Sequence, residues 1–226
     1  MASQNYSNIE HIVIDGASTD GTLDIIRRYA DQLERIVSEP DQGIYDAMNK
    51  GIKPVTGDVN GMLNADDIFQ DETVLQQVAG AHKDQSLDAV YADLVYVKRE
   101  NLQQVTRNWH SKTYQKGMCF KGWMPAHPTF YMKKRVYQNV GLYNTKLHFQ
   151  SDLEFCSRAF ELHEINSVYV PILWVRMRQG GATNNRLKNI IKGNWESYLA
   201  LRKLGMRRDL LSYFAIKFCS KLSQFL

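Results

Sequence analysis

The chain has 226 residues, 44% apolar and 23% charged, which suits one sizeable α/β domain or one domain plus an appendage. No apolar run reaches the length of a membrane span, and the opening MASQNYSNIE has neither a basic n-region nor an apolar h-region, so neither a spanning helix nor a signal peptide is expected. The net charge of +4 is uneven: from Arg178 onward ten Lys or Arg stand against two acids, Glu196 and Asp209, while the first 177 residues carry four more acids than bases.

The three cysteines, Cys119, Cys156 and Cys219, are far apart and form no CxxC pair. Reduced thiols, a cytoplasmic setting and no zinc site are the expectation.

In chain order, residues 10–17 (EHIVIDGA) read as a buried strand, with Ile12, Val13 and Ile14 continuous. The loop STDGT follows. From Thr22, residues Leu23, Ile26, Tyr29, Ala30 and Leu33 recur at helical spacing. RIVSEP is a second short strand stopped by Pro40, and GIYDAMNKG a short helix with Gly51 as its stop. Residues 57–67 (GDVNGMLNADD) predict a third strand ending in carboxylates, in which Asn60 needs a partner to offset its burial. Residues 72–84 predict another helix. Strands alternating with helices predict an α/β fold with a mostly parallel sheet flanked by helices.

The pattern then changes. Residues 87–109 predict two strands joined by a polar turn near Asn101, and residues 127–141 a strand and a short helix. Residues 151–163 form a clear helical pattern. Residues 165–177 are strand-like and broken at Pro171, RQGGAT is a turn, and the remainder from about Arg186 is helical.

In open α/β sheets, ligands bind beyond the carboxyl ends of the strands. Asp15 stands at one such end and the pair Asp66-Asp67 at another. Each acid alone reads equally well as a cap for the helix that follows it. Jointly they form a carboxylate cluster that a divalent cation would neutralise. Hard oxygen ligands favour Mg2+ or Mn2+, shared with the phosphates of a substrate, which points to a nucleoside diphosphate ligand. The loop DGASTDGT is not GxGxxG and has no P-loop lysine, but its small residues admit close approach to the backbone.

The segments VIDGASTDGT, SEPDQGIYDAMNKG and GDVNGMLNADD, in this order and spacing, resemble family-2 glycosyltransferases with the GT-A fold. They look most like the branch that builds bacterial surface polysaccharide: O-antigen of lipopolysaccharide, capsule or exopolysaccharide. The resemblance runs from about Ile9 to Thr183. It implies a GT-A domain over residues 1–183, followed by a basic amphipathic tail over 184–226. It further implies transfer of a hexosyl group from a nucleotide-sugar donor to a glycan acceptor, often lipid-linked. By the same resemblance Asp15 contacts the nucleoside, Asp66 lies near the ribose, and Asp67 ligates a divalent metal, Mn2+ or Mg2+. QSDLEF places the catalytic base on Asp152, and RQGGAT places Arg178, Gly180 and Gly181 near the diphosphate. A carboxylate that deprotonates the acceptor opposite a single leaving group gives inversion at the anomeric carbon. No nucleic-acid partner is expected.

Several readings stay open. His127 and Trp123 are candidates for the acceptor side, with a partly buried, hydrogen-bonded histidine as the competing reading of His127. His148, four residues before Asp152, has the same ambiguity. In the tail, Leu211, Phe214, Phe218, Leu222 and Phe225 share one helical face edged by Arg207, Arg208, Lys217 and Lys221. That face fits an anionic membrane surface, here the inner face of the cytoplasmic membrane, or docking onto the catalytic domain or a second subunit. Finally, family members usually open with a further strand and helix that nothing ahead of NYSNIE matches. An active metal-dependent transferase and an inactive, membrane-associated relative are therefore both carried forward.

Overall fold

The structure, a computed structural model, describes residues 3–180, 187–207 and 209–222. It is α/β. The opening strand β1 (Ile12–Asp15) pairs in parallel with β2 (Arg35–Ser38), and among the described residues these two form a sheet of their own. Between them lie α1 (Thr22–Arg27) and a 3-10 turn at Ala30–Gln32. The helical periodicity that continued to Leu33 is thus split into two short pieces. An open groove lined by His11, Val13, Ile25, Ile26, Tyr29 and Leu33 flanks β1.

The main sheet has six strands in the order β3 (Val59–Asn60), β7 (Tyr131–Lys133), β5 (Ala89–Val97), β8 (Ser167–Arg178) and β4 (Ile68–Phe69), with β6 (Val105–Trp109) also on β5. It is mixed, not mostly parallel. β5 and β8 run parallel, whereas β3–β7, β5–β7, β5–β6 and β4–β8 are antiparallel. The physical reason is local: β5 and β6 are joined by the short turn near Asn101, which can only return the chain antiparallel. The strand expected over residues 57–67 survives only as Val59–Asn60. At Gly61 a side chain would collide with the buried Tyr131 ring, its Cβ falling 2.1 Å from Cε1. Asn60 is buried, its backbone in register with Met132.

Alternation along β5 fills two cores. Ala89 and Tyr91 point into one, with Tyr45 and Ile52 of α2 (Ile44–Ile52), Val136, Tyr137 and Val140 of α4 (Lys134–Val140), and Phe155 of α5 (Ser151–Ser157). Val90, Ala92 and Leu94 point into the other, with Val74, Leu75 and Val78 of α3 (Val74–Ala81) and Trp174 of β8. This is the period of two expected of a strand covered on both faces. The helix α5 runs on through one widened turn, Arg158–Leu162.

Pro171 does not break β8. Tyr91 pairs with Tyr169 and Asp93 with Leu173, so a bulge takes up the proline. Asp93, buried at that point, accepts from Tyr169 Oη (2.7 Å) and from the Ser111 amide (2.8 Å).

α2 joins the two sheets. Gly51 lies against Ile14 of β1, where an added Cβ would sit 3.3 Å from Cγ1. On its other side Asn49, buried, exchanges two 2.9 Å hydrogen bonds with the backbone of Tyr143.

The tail is docked. α6 (Leu187–Lys203) and α7 (Leu210–Leu222) bury Leu201, Met206 and Tyr213 against Leu153 of α5. Of the apolar face expected on α7, Leu211 is 82% exposed and Phe214 packs beside this cluster. The side chains of Phe218 and Leu222, and Arg208 and Phe225 entirely, lie outside the described residues. α6 shows a different apolar stripe: Ile191, Trp195 and Leu199 are 61%, 48% and 43% exposed and follow one another at four-residue steps. No helix among the described residues is long and apolar enough to cross a membrane. Cys119 and Cys156 are free and buried.

Candidate active site

Asp15 ends β1 and is buried. Its Oδ2 accepts from the Ser18 amide (3.0 Å) and from Ser38 Oγ (2.7 Å) of β2. These bonds to Ser18 and Ser38 hold its carboxyl below the usual range. The turn after it is tight, with Ala17 in the left-handed region at φ 62°. Asp15 is engaged within the β1–β2 unit.

The second group forms where the loop after β3 meets the end of β8. Asp67 is buried, and its Oδ2 accepts from Asn64 Nδ2 at 2.7 Å. Burial pushes its carboxyl up to about 6; Asn64 opposes this and the neighbouring Asp66 adds to it. Arg178, the last residue of β8, donates from Nη1 to the carbonyl of Asp66 at 3.1 Å. Its Nε is buried and has no hydrogen-bond partner among the described residues. Beyond it the Gln179 amide bonds to the carbonyl of Val97 (3.0 Å), and Gly180 takes φ 119°, a conformation that favours glycine. Gly181 lies outside the described residues.

Asp152 occupies the first turn of α5, where the helix dipole favours a carboxylate. Its Oδ1 accepts from the Leu153 amide (2.9 Å) and from Tyr45 Oη (3.2 Å). Tyr45 is buried, and burial followed by the Asp152 charge drives its phenol far above the ordinary range, so it acts as a donor. Tyr96, on the outgoing end of β5, feels both groups. Its phenol is raised by burial, Arg107 opposes this, and the charges of Asp67 and Asp152 add to it. The charges of Asp67 and Asp152 thus reach the same phenol and Arg178 acts on Asp67, while Asp15 stands on the separate sheet.

His127 is partly buried, its Nε2 2.9 Å from Tyr143 Oη, and burial lowers its pKa while the Asp152 charge opposes that. It is a hydrogen-bonded histidine that also lies within the field of Asp152. Trp123 packs among Tyr91, Tyr114 and Phe160 at ring separations of 5.8 to 5.9 Å. That places it in the aromatic core. His148 is exposed. Among the described residues no group of three or more His, Cys, Asp or Glu gathers as an all-protein metal site. Reading the sequence alone missed Tyr45 and Tyr96. Tyr45 belongs to GIYDAMNKG, where helical periodicity explains it as a core residue and hides its bond to Asp152.

The family model described as Glycosyl transferase family 2 matches residues 1–147. The chain belongs to that family. It is similar to a PGL/p-HBAD biosynthesis glycosyltransferase of Mycobacterium tuberculosis, 27% identical over 191 residues, covering 83% of this chain and 72% of that one. An uncharacterized glycosyltransferase of Rickettsia prowazekii is 23% identical over 209 residues, covering 87% of this chain and 64% of that one. Among solved structures, S. aureus TarS 1-349 in complex with UDP aligns with a TM-score of 0.65 at 15% identity, over 95% of this chain and 62% of its own length. The mannosyltransferase PcManGT from Pyrobaculum calidifontis, in complex with GDP-Man and Mn2+, aligns at 0.57 and 17% identity, over 98% and 74%. The chain thus has the GT-A fold and spans just under two thirds of the TarS chain.

The raised carboxyl of Asp67 has a consequence for stability. The folded state favours the protonated form, so that contribution is full below the ordinary carboxylate pKa and is lost as pH rises through about 6. Asp67→Asn removes the desolvated charge. Without divalent cations the variant is expected to be more stable than wild type by about 2 kcal/mol at pH 7.5 and equal to it only below the ordinary carboxylate pKa, at about pH 3. Urea unfolding at the two pH values checks this, and equal midpoints at both would contradict it.

Proposed function

We propose that this family-2 glycosyltransferase moves a hexosyl group from a nucleotide-sugar donor to a glycan acceptor in bacterial surface polysaccharide synthesis, with inversion at the anomeric carbon. The observation that carries the reading is that the charges of Asp67 and Asp152 both reach the Tyr96 phenol, while Arg178 bonds the Asp66 carbonyl beside Asp67. One side is suited to a metal-bound diphosphate and the other to a base. The donor class is supported by the UDP and GDP-Man held by the two solved neighbours.

The acceptor hydroxyl gives its proton to Asp152 as its oxygen bonds to the anomeric carbon. The bond from that carbon to the diphosphate breaks, and the nucleoside diphosphate leaves. Both hydrogen bonds to Asp152 fall on Oδ1, which fixes the carboxylate's direction and leaves Oδ2 for the acceptor proton. A buried carboxylate beside a second acid fits a divalent cation, so Asp67 would hold Mn2+ or Mg2+ together with the donor's phosphates. When bound, such an ion offsets the charge that develops on the leaving group. The Nε of Arg178, without a partner among the described residues, fits a phosphate oxygen, with Gly180 allowing close approach. Asp15 would meet the nucleoside and Asp66 the ribose. His127, which feels the Asp152 charge, would serve the acceptor side; the ring of Trp123 is committed to the core.

Calorimetry with UDP and with GDP is expected to show binding by one of them in the presence of Mn2+ and none after chelation. Asp152→Asn should retain that binding and lower release of nucleoside diphosphate from the matching nucleotide sugar by at least about 100-fold. No binding of either nucleotide would favour the inactive relative, and full turnover by the variant would remove Asp152 as the base.

The acceptor is proposed to be lipid-linked, with the protein lying peripherally on the inner face of the cytoplasmic membrane. What supports this is the excess of eight positive charges from Arg178 onward, together with the exposed stripe Ile191, Trp195 and Leu199 of α6. Apolar residues bordered by cationic ones suit an anionic interface. The wild-type chain should sediment with vesicles containing phosphatidylglycerol, and the triple variant Ile191→Ser, Trp195→Ser, Leu199→Ser should stay in the supernatant. Equal sedimentation of the two would place the contact elsewhere.

A further inference from the structure

The C-terminal helices meet the segment that carries Asp152 at three separate points. First, Glu196 of α6 accepts from two successive backbone amides, those of His148 and Phe149, both onto Oε2 at 3.1 Å. These amides lie just ahead of α5, where no helix hydrogen bond can satisfy them. Second, Lys217 of α7 donates from Nζ to Oε1 of Gln150, the residue that caps α5, at 3.1 Å. Lys217 is held in turn by Ser197 Oγ (3.2 Å) and Tyr213 Oη (3.4 Å), themselves 2.8 Å apart. Third, Leu153 is buried against Leu201, Met206 and Tyr213, and Gly193 lies so close to Phe149 that an added Cβ would stand 3.0 Å from Phe149 Cβ.

Residues 148, 149, 150 and 153 are thus all held by α6 and α7, and Asp152 lies between them. We infer that Glu196 and Lys217 are positioning residues: the C-terminal helices clamp the entry to α5 and so set where the Asp152 carboxylate points. Two charge-assisted bonds onto consecutive amides fix the backbone more tightly than one contact would. The Lys217–Gln150 bond fixes the cap that follows. Removing Glu196 leaves both amides to water and lets the entry to α5 move. A displacement of about 1 Å in a general base is enough to cost a large factor in rate. The catalytic consequence rests on the proposed role of Asp152; the clamp itself does not.

The test compares wild type with Glu196→Ala, Glu196→Gln and Lys217→Met in the full chain. Glutamine keeps an acceptor for the amides, so it is the rescuing variant. Hydrogen exchange read by mass spectrometry over residues 146–154 should rise at least tenfold in Glu196→Ala. It should stay near wild type in Glu196→Gln, and peptides of β5 and β8 should be unchanged. Lys217→Met should raise exchange over the same residues. Unchanged exchange there in Glu196→Ala, or a rise spread over the whole chain, would overturn the clamp.

In parallel, release of UDP from UDP-N-acetylglucosamine and of GDP from GDP-mannose, with Mn2+, reads the catalytic consequence. Glu196→Ala should lower kcat at least tenfold with the donor KM within about twofold of wild type, because the donor side is untouched. A rise in KM with kcat unchanged would overturn the positioning role. Asp152→Asn separates the two claims. If that variant turns over normally, the base assignment fails while the exchange result still decides the clamp.

Discussion

The parallel pairing of β5 with β8 is the constraint on which the site depends. β5 is buried at all but one of its nine residues and sends side chains alternately into two cores, so its register cannot slip without exposing both. β8 starts with Ser167 opposite Ala89 and ends with Arg178 opposite Val97. Carrying its first register straight through would instead set Val175 opposite Val97. The irregularities around Pro171 and Asp93 insert the difference, and the buried polar contacts of Asp93 with Tyr169 and Ser111 secure them. The guanidinium reaches the carbonyl of Asp66 because of that insertion. The bulge in the middle of the sheet and the chemistry at its edge are one arrangement.

Burial and charge then divide the work between the acids. Asp15 is stabilised as an anion by Ser18 and Ser38. Asp67 is driven the other way by desolvation beside Asp66, which makes it the acid with most to gain from a cation. Asp152 is directed by Tyr45, a residue of the helix that also packs on β1. α2 therefore connects the strand that ends in Asp15 to Asp152 through one helix, with the Asn49–Tyr143 pair holding it in place.

Much of this was legible in the sequence, for identifiable reasons. The strand ending in Asp15, the pair Asp66-Asp67 and the helix opening at Asp152 all show themselves through local periodicity and composition. The mixed sheet did not, because short strands such as β3 and β4 have two residues each and leave no pattern to read. Pro171 looked like a break because a bulge is defined by the partner strand. The tail was ambiguous for the same reason. Its basic excess is plain in composition, but Glu196 acquires its meaning from amides 48 and 47 residues away, and Lys217 from a glutamine 67 residues away. The α7 face that suited either a membrane surface or docking is partly spent on docking, and the exposed apolar stripe lies on α6.

The central claim is that Asp67, Arg178 and Asp152 border one donor site. Paramagnetic broadening of backbone amide resonances by Mn2+ with the nucleotide that binds tests it most directly. The strongest loss of signal is expected around residues 64–67. Losses at residues 96–97, 178–180 and 150–153 should follow, all of them dependent on the nucleotide. Broadening that ignores the nucleotide, or that spares residues 150–153 while affecting distant segments, would contradict it.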